Sequence, residues 1–461
     1  MRRRFAALLP LVAALAAATA LAASPTAAPP LVGVFVFTGG GYGHGVGMSQ
    51  WGAYGQATEG RTHADILGWY YPGTEVAAAP MRLPAKIRVL VGDGLTSASI
   101  SSTGPIAVAD GAGAKYELPP GTYDLDPDLE LPVGEGGALA PLVAPLALRP
   151  AKGTLLQWGG RSFGGELRVL SVSTRLQLVN ALAFETYLVG VVAREMPKGW
   201  PLEALKAQAV ASRTYAVGNL LKGQPFDLYG DVRNQMFQGA VTGVPGPTRA
   251  VKETKGQLLL HLGVPARTLY YASSGGRTAS ALDVFGSEVP YLVSVEDPWD
   301  AASPHHLWIP KLIAPDALGK ALGTGGPVSD ARLVAGTKGH PARVVLSTQA
   351  GTSEVRITDV RWRLGLKSSS FRVGVLGFFP ASDPAPAGSL FPLGGLARDV
   401  GPVRLERLVG DAWVSAGRLS IQPDGTFAVT LKPKATTAYR LVAGEVASAS
   451  LVLTVTDADA T

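Results

Sequence analysis

Trp200-Pro201-Leu202-Glu203-Ala204-Leu205-Lys206-Ala207-Gln208-Ala209-Val210-Ala211-Ser212-Arg213-Thr214-Tyr215-Ala216 is the stretch on which the fold turns. Pro201 suits the first position of a helix, where its missing N–H costs nothing. The spacing predicts a helix running to Leu221 or Lys222, stopped by Gly223. Turning about 100° per residue, Leu202, Leu205, Ala209, Val210, Ala216, Val217, Leu220 and Leu221 share one broad apolar arc. Ala204, Ala207, Ala211 and Gly218 form a small-residue face suited to close packing. Gln208, Ser212, Tyr215 and Asn219 line the remaining stripe. Lys206 and Arg213 project inside the apolar arc. A helix buried on most sides that carries two inward cations requires carboxylates or acceptors for them; snorkelling from the edge of the arc is the alternative.

Just upstream lies Val191-Val192-Ala193-Arg194-Glu195-Met196-Pro197, an apolar helical run cut by its proline. A carboxyl at such a break, among apolar neighbours, has its protonated form favoured, as a general acid requires. A structural helix-end acid is the other reading of Glu195. Together, residues 180–222 carry the strongest helical signal. Around them the pattern is β: Val34-Phe35-Val36-Phe37, Ile87-Arg88-Val89-Leu90-Val91 and Glu166-Leu167-Arg168-Val169-Leu170. Residues 119–150, rich in Pro, Gly and Ala, read as a long loop or insertion. Prolines 380, 384, 386 and 392 mark residues 374–396 as a linker. The short alternating runs of residues 397–461, with Asp424-Gly425 turn chemistry, suggest a small immunoglobulin-like β-sandwich. The expected class is α+β: a mixed, β-rich domain over residues 81–373 with a buried helix, an N-terminal segment 33–80 packing on it, and the C-terminal sandwich.

The chain has 461 residues, no Cys, 57 Gly and 35 Pro, and 47% of it is apolar. A sizeable core is therefore available, while disulfides, thiolate metal sites and cysteine nucleophiles are excluded. Arg2-Arg3-Arg4 followed by the apolar run Phe5–Ala23 reads as a signal peptide over residues 1–23. Without those arginines the net charge drops from +6 to +3. That balance, with no basic run interleaved with aromatics, argues against a nucleic-acid partner. No second long apolar segment follows, so a secreted, extracytoplasmic protein (cell wall or periplasm) with no integral span is expected.

The run Asn180-Ala181-Leu182-Ala183-Phe184-Glu185-Thr186-Tyr187-Leu188-Val189-Gly190 through Glu195-Met196-Pro197, together with residues 200–216, strongly resembles the stage II sporulation protein D / LytB (SpoIID/LytB) family. Gly43-His44-Gly45-Val46-Gly47-Met48-Ser49-Gln50-Trp51-Gly52-Ala53-Tyr54-Gly55 is similar to the family's second signature. Ile66-Leu67-Gly68-Trp69-Tyr70-Tyr71-Pro72-Gly73-Thr74 is similar to the residues that follow it. Ser273-Ser274-Gly275-Gly276-Arg277-Thr278 and Val289-Pro290-Tyr291-Leu292 resemble a third block. In the sporulation protein the Gly-His-Gly block follows the Glu-Met-Pro block, whereas here it precedes it. Termini that lie close together allow such a permutation to keep a site intact. His44, Ser49 and Gln50 are therefore expected to meet Glu195 across one groove.

The resemblance implies a protein acting on peptidoglycan glycan strands, with Glu195 as the catalytic acid of a lytic transglycosylase. It also implies contacts to substrate from His44, Ser49, Gln50, Lys206, Gln208, Arg213, Tyr215, Ser273, Ser274 and Gly275. Some family members hold zinc through His and Cys near the Ser-Gly-Gly block. Tyr271-Ala272-Ser273-Ser274-Gly275-Gly276 has neither, so no metal or other cofactor is expected. Hydrolysis of a glycoside normally needs two carboxylates flanking the bond. A transglycosylase needs one, which protonates the leaving oxygen and then takes a proton from the sugar's own C6 hydroxyl. The alternative is a non-catalytic module that binds glycan and enhances a cell-wall amidase. Trp51, Tyr54, Trp69, Tyr70 and Tyr71 are candidates for stacking on sugars, although buried anchors are the commoner role for such residues.

Overall fold

The computed structural model describes residues 29–380 and 384–456, and the expected signal peptide lies outside them. The architecture mixes helices with many strands, in agreement with an α+β class. Strand Val32–Gly39 lies in a five-stranded antiparallel sheet, between Lys311–Ile313 and Phe371–Phe378, which continues through Phe391–Arg398 to Thr426–Leu431. Its apolar run is uninterrupted because both faces are covered. Phe35 and Phe37 pack with Leu318, Leu346, Ile357 and Val375 on one side. Val34 and Val36 pack with Leu376, Leu405, Tyr439 and Leu441 on the other.

That second core is shared with a sheet built on Ala412–Arg418, Val403–Val409 and Thr437–Ala443. The C-terminal part is thus two facing antiparallel sheets, one of which includes the N-terminal strand. Residues 374–396, expected as a linker, supply parts of two strands of that sheet. Val375, Leu376, Leu393 and Leu396 are buried, which outweighs the proline content around them. Residues 119–150, expected as a loop, contain strands Gly121–Leu125 and Leu146–Pro150 as well as shorter pairings. Tyr123, Leu125, Leu131, Leu146 and Leu148 fill a core of their own with Ile100, Phe163 and Leu178.

A seven-stranded sheet forms the backing of the helical layer. Its order is Leu228–Tyr229, Lys86–Leu95, Arg175–Ala183, Glu166–Val172, Leu146–Pro150, Ile106–Ala109 and Lys115–Leu118. Five helices position the site: α1 (Gln50–Thr58), α2 (His63–Tyr70), α3 (Phe184–Glu195), α4 (Leu202–Gly218) and α5 (Pro245–Glu253). Residues 180–183, expected within the helical region, finish a strand instead: Asn180 is paired on both sides, with Val89 and Leu167. Helix α3 ends where Met196 turns extended (φ −129°, ψ 147°), the conformation that Pro197 imposes on its predecessor. Helix α4 is buried nearly all round, from Ala204 to Ala216, against α1, α2, α3, α5 and strand Gln257–His261. It stops at Gly218, short of Leu221, because the Leu221 amide donates to the Asp227 carbonyl as the chain turns toward Leu228–Tyr229.

Candidate functional site

Glu195 is the last residue of α3, so its carboxylate sits at the negative end of the helix, which disfavours its charge. Burial pushes its pKa up, against hydrogen bonds from the Gln50 side chain and the Met236 backbone N–H that favour the ionised form. The Gln50 amide lies 3.3 Å from Glu195 Oε2 and 3.3 Å from Gln208 Oε1. Gln208 donates to Ser212 Oγ at 2.9 Å. Gln235 donates to the Ser212 carbonyl and to the Tyr270 hydroxyl, and accepts from the Tyr187 hydroxyl at 2.9 Å. Burial holds both phenols protonated, and the nearby Glu195 charge adds to that effect. A neutral, hydrogen-bonded polar chain therefore runs behind one carboxyl.

Next along α1 from Gln50 begins an aromatic cluster. Trp51 follows Gln50 on α1 and meets Trp200 edge-on at 4.9 Å; Tyr54 lies 5.4 Å from Trp51 and 5.0 Å from Trp200. All three rings are half-buried.

Helix α1 is held in place by a second cluster, built on the buried Asp297 and Asp300. Ser49 caps the helix by accepting from the Gly52 N–H, and its hydroxyl donates to Asp300 Oδ1 at 3.1 Å. Ser273 Oγ and the Gly275 N–H donate to Asp300 Oδ2, the Ser274 N–H donates to Oδ1, and the His306 ring sits 3.1 Å from Oδ2. Ser274 Oγ and the Tyr70 hydroxyl donate to Asp297. Burial raises Asp297 to about 6, with the Asp300 charge adding and the two hydroxyl donors opposing. Gly52 must lack a side chain here: a Cβ would fall 1.9 Å from the Tyr70 oxygen and 2.3 Å from Asp297 Oδ1.

Of the three loop residues expected to meet Glu195, only Gln50 does so. Ser49 points into the Asp300 cluster. The His44 ring packs against Tyr271 and Phe285, and its Nδ1 accepts from the Val46 N–H. Burial and the Arg361 charge lower its pKa to about 4, so it is neutral near pH 7. Ser273, Ser274 and Gly275 are likewise engaged by the buried carboxylates.

The two helix cations find carboxylates, as burial required. Arg213 is fully buried, bidentate to Glu185 at 2.7 and 3.2 Å, and also donates to the Val251 and Gln257 carbonyls. Lys206 pairs with Glu203 at 2.8 Å and Glu253 at 2.7 Å. Burial pushes Glu203 up, but hydrogen bonds from Lys206 and His63 outweigh it and hold it down at about 2. Both cations are thus paired within the protein. Gln208 belongs to the Glu195 chain, and Tyr215 stands near Tyr187.

Asp297, Asp300, Gln235, Tyr187, Tyr270 and Trp200 were not singled out from the sequence. The signal for the aspartates is present in Glu296-Asp297-Pro298-Trp299-Asp300, two carboxylates three residues apart beside an apolar run.

Residues 172–261, which include α3, α4, α5 and Glu195, match the family model described as SpoIID, stage II sporulation protein. The chain is 38% identical over 139 residues to an uncharacterized protein of Brachyspira hyodysenteriae, covering 30% of this chain and 38% of that one. It is 31% identical over 216 residues to stage II sporulation protein D of Bacillus subtilis, covering 43% of this chain and 62% of that one. It is 37% identical over 113 residues to the amidase enhancer of Bacillus subtilis, covering 24% and 15% respectively. The chain thus spans less than two thirds of the length of each of these relatives.

Proposed function

With the chain belonging to the SpoIID/LytB family, we propose that it is an exported, peptidoglycan-acting lytic transglycosylase that cuts glycan strands between MurNAc and GlcNAc. The observation that carries this reading is Glu195: a carboxyl at a helix C-terminus, kept protonated more readily than usual and oriented by Gln50. In the reaction the Glu195 carboxylic acid protonates the glycosidic oxygen as the C1–O bond breaks. The C6 hydroxyl of the same MurNAc then bonds to C1, and the Glu195 carboxylate takes its proton. The product is a 1,6-anhydro-MurNAc end and a free GlcNAc hydroxyl. Water is not consumed, and Glu195 is returned protonated.

The one-carboxylate route is supported by the fate of the alternatives. Glu185 is occupied by Arg213, Glu203 by Lys206 and His63, and Asp297 and Asp300 are sealed in their own cluster. A water-activating partner for a hydrolytic, two-carboxylate mechanism would have to be free and on the opposite side of the sugar. The two-sheet C-terminal region, in this reading an immunoglobulin-like sandwich, serves wall attachment or spacing. Among the described residues no helix is long and apolar enough to cross a membrane. The likeness to an amidase enhancer favours one second reading, a glycan-gripping module that stimulates a wall amidase.

Digestion of purified glycan strands, with and without stem peptides, by the native chain and by Glu195→Gln separates the two. Anhydro ends formed only by the native chain support cleavage. Binding by both chains with no cutting, and stimulation of an added amidase, would replace it with the enhancer reading.

A further inference from the structure

A cavity of about 480 Å³ opens on the outer face of α2, lined by Gly68, Trp69, Pro72, Arg277, Glu296 and Lys338 among others. It shares none of these residues with the Glu195 chain. Trp69 and Tyr70 are neighbours that point oppositely: Tyr70 is fully buried on Asp297, while Trp69 is 36% exposed. The exposed indole is held rigidly. Its N–H donates to the Glu296 carbonyl at 2.8 Å, Trp299 meets it at 90° and 5.1 Å, and the Arg61 guanidinium lies 5.4 Å from its ring. A large apolar side chain fixed this firmly, yet left open to a cavity, is not a core anchor.

The polar rim has a definite chemistry. The Arg277 guanidinium pairs with the Glu296 carboxylate at 2.7 Å, which presents donors and an acceptor side by side. Lys338 adds a second cation from a turn whose backbone is held in the left-handed region, at φ +49°. Two cations against one carboxylate leave an excess of one positive charge. A flat apolar face, alternating donors and acceptors, and an unbalanced cation fit a pyranose ring that carries a carboxylate.

We propose that the Trp69 cavity is an accessory binding site for carboxylated glycan chains, with the indole stacking on a sugar face and Arg277 and Lys338 reading the acid group. Binding here needs no chemistry at Glu195. It lets the protein hold a strand at a second point away from the carboxyl.

The test uses the full chain carrying Glu195→Gln, labelled with nitrogen-15 at the tryptophan indoles. The Trp69 signal is assigned by its loss in Trp69→Phe. Three probes are titrated: peptide-free muramic-acid glycan oligomers, oligogalacturonate, and neutral chitotetraose. A saturable shift of the Trp69 signal with either acidic probe is expected, and the stronger of the two identifies the source of the acid. Arg277→Gln with Lys338→Gln should weaken that binding about fivefold, the scale of exposed ion pairs. Gly68→Leu is the second variant, because a Cβ at Gly68 meets only open space at the cavity mouth. It should abolish the Trp69 response without lowering the unfolding temperature. An unmoved Trp69 signal, an undiminished response in Gly68→Leu, or equal binding of the neutral probe would overturn the proposal. Loss of anhydro-end formation bears on Glu195 alone, so the two readings fail separately.

Discussion

The Gln50 side-chain nitrogen lies 3.3 Å from Glu195 Oε2, although 145 residues separate the two in the chain. The contact joins the first residue of α1 to the last of α3 and sets the balance at the carboxyl. Its hydrogen bond favours ionisation, against burial and the helix end. In the proposed reaction Glu195 is a general acid and must be protonated, so activity should fall as pH rises through its pKa. Gln50→Leu removes the opposing hydrogen bond and should move the alkaline limb of the pH–rate profile to higher pH, read as anhydro-end formation. Glu195→Gln should lower that rate at least about a hundredfold. An unshifted limb in Gln50→Leu would show that the contact does not tune Glu195.

Arg213 should behave as a structural residue. Arg213→Met leaves the Glu185 carboxylate without its partner and the Val251 and Gln257 carbonyls without a donor, at a cost of about 3 kcal/mol or more. Arg213→Lys loses the bidentate geometry and should recover only part of this. Denaturant unfolding measures the loss. Affinity of the folded fraction for glycan should be unchanged, and a selective loss of affinity at full stability would return Arg213 to the binding surface.

Asp297 makes stability depend on pH with a definite sign. Its folded pKa is about 6, above the ordinary 3.8. A raised pKa gives stability that is complete below the unfolded value and lost as pH rises through the folded one. Between pH 3.8 and 6 the native chain should therefore lose up to about 3 kcal/mol from this group. Asp297→Asn cannot ionise and should flatten that slope in chemical denaturation at pH 4.5 and 7. Equal slopes in the two proteins would place the titration elsewhere.

Glycines at positive φ tolerate side chains unevenly. A Cβ at Gly47 would sit 2.1 Å from the Leu269 carbonyl, and one at Gly275 2.5 Å from the Gly40 carbonyl carbon, both at positive φ. Gly47→Ala and Gly275→Ala should each cost about 2–4 kcal/mol. Gly60→Ala shares the positive φ but meets nothing within 4 Å, and should cost only about 1 kcal/mol. Thermal unfolding of the three variants distinguishes contact from conformational strain.

The Trp51–Trp200 cluster should matter for binding. Trp200→Ala, in the Glu195→Gln background, should weaken binding of glycan oligomers about tenfold. Calorimetric titration with unchanged affinity would assign the cluster to packing alone.

Much of the helical layer was legible along the chain. The buried α4, its Ala-rich faces and the break at Pro197 follow from side-chain period and proline stereochemistry, both of which act within a few residues. Burial of two cations on α4 implied carboxylate partners, and both have them. Which carboxylates these are was beyond the sequence, because Glu185 and Glu253 reach α4 only through the packing of α3 and α5. The proline-rich segments misled for a related reason: strand pairing of residues 374–378 with the distant Val32–Val36 outweighs local turn preference.

The sequence by itself determined the buried character of α4, the place of Glu195 at the broken end of α3, and the family that these runs resemble. Only the tertiary structure decided which polar residues face Glu195. It drew Gln50 to the carboxyl, turned Ser49, Ser273 and Ser274 inward to Asp297 and Asp300, and left Trp69 outside. Periodicity fixes which face of an element is apolar. The partner of a buried polar group is fixed by which elements pack against it, since each donor and acceptor removed from water must be matched by whatever long-range contact brings near.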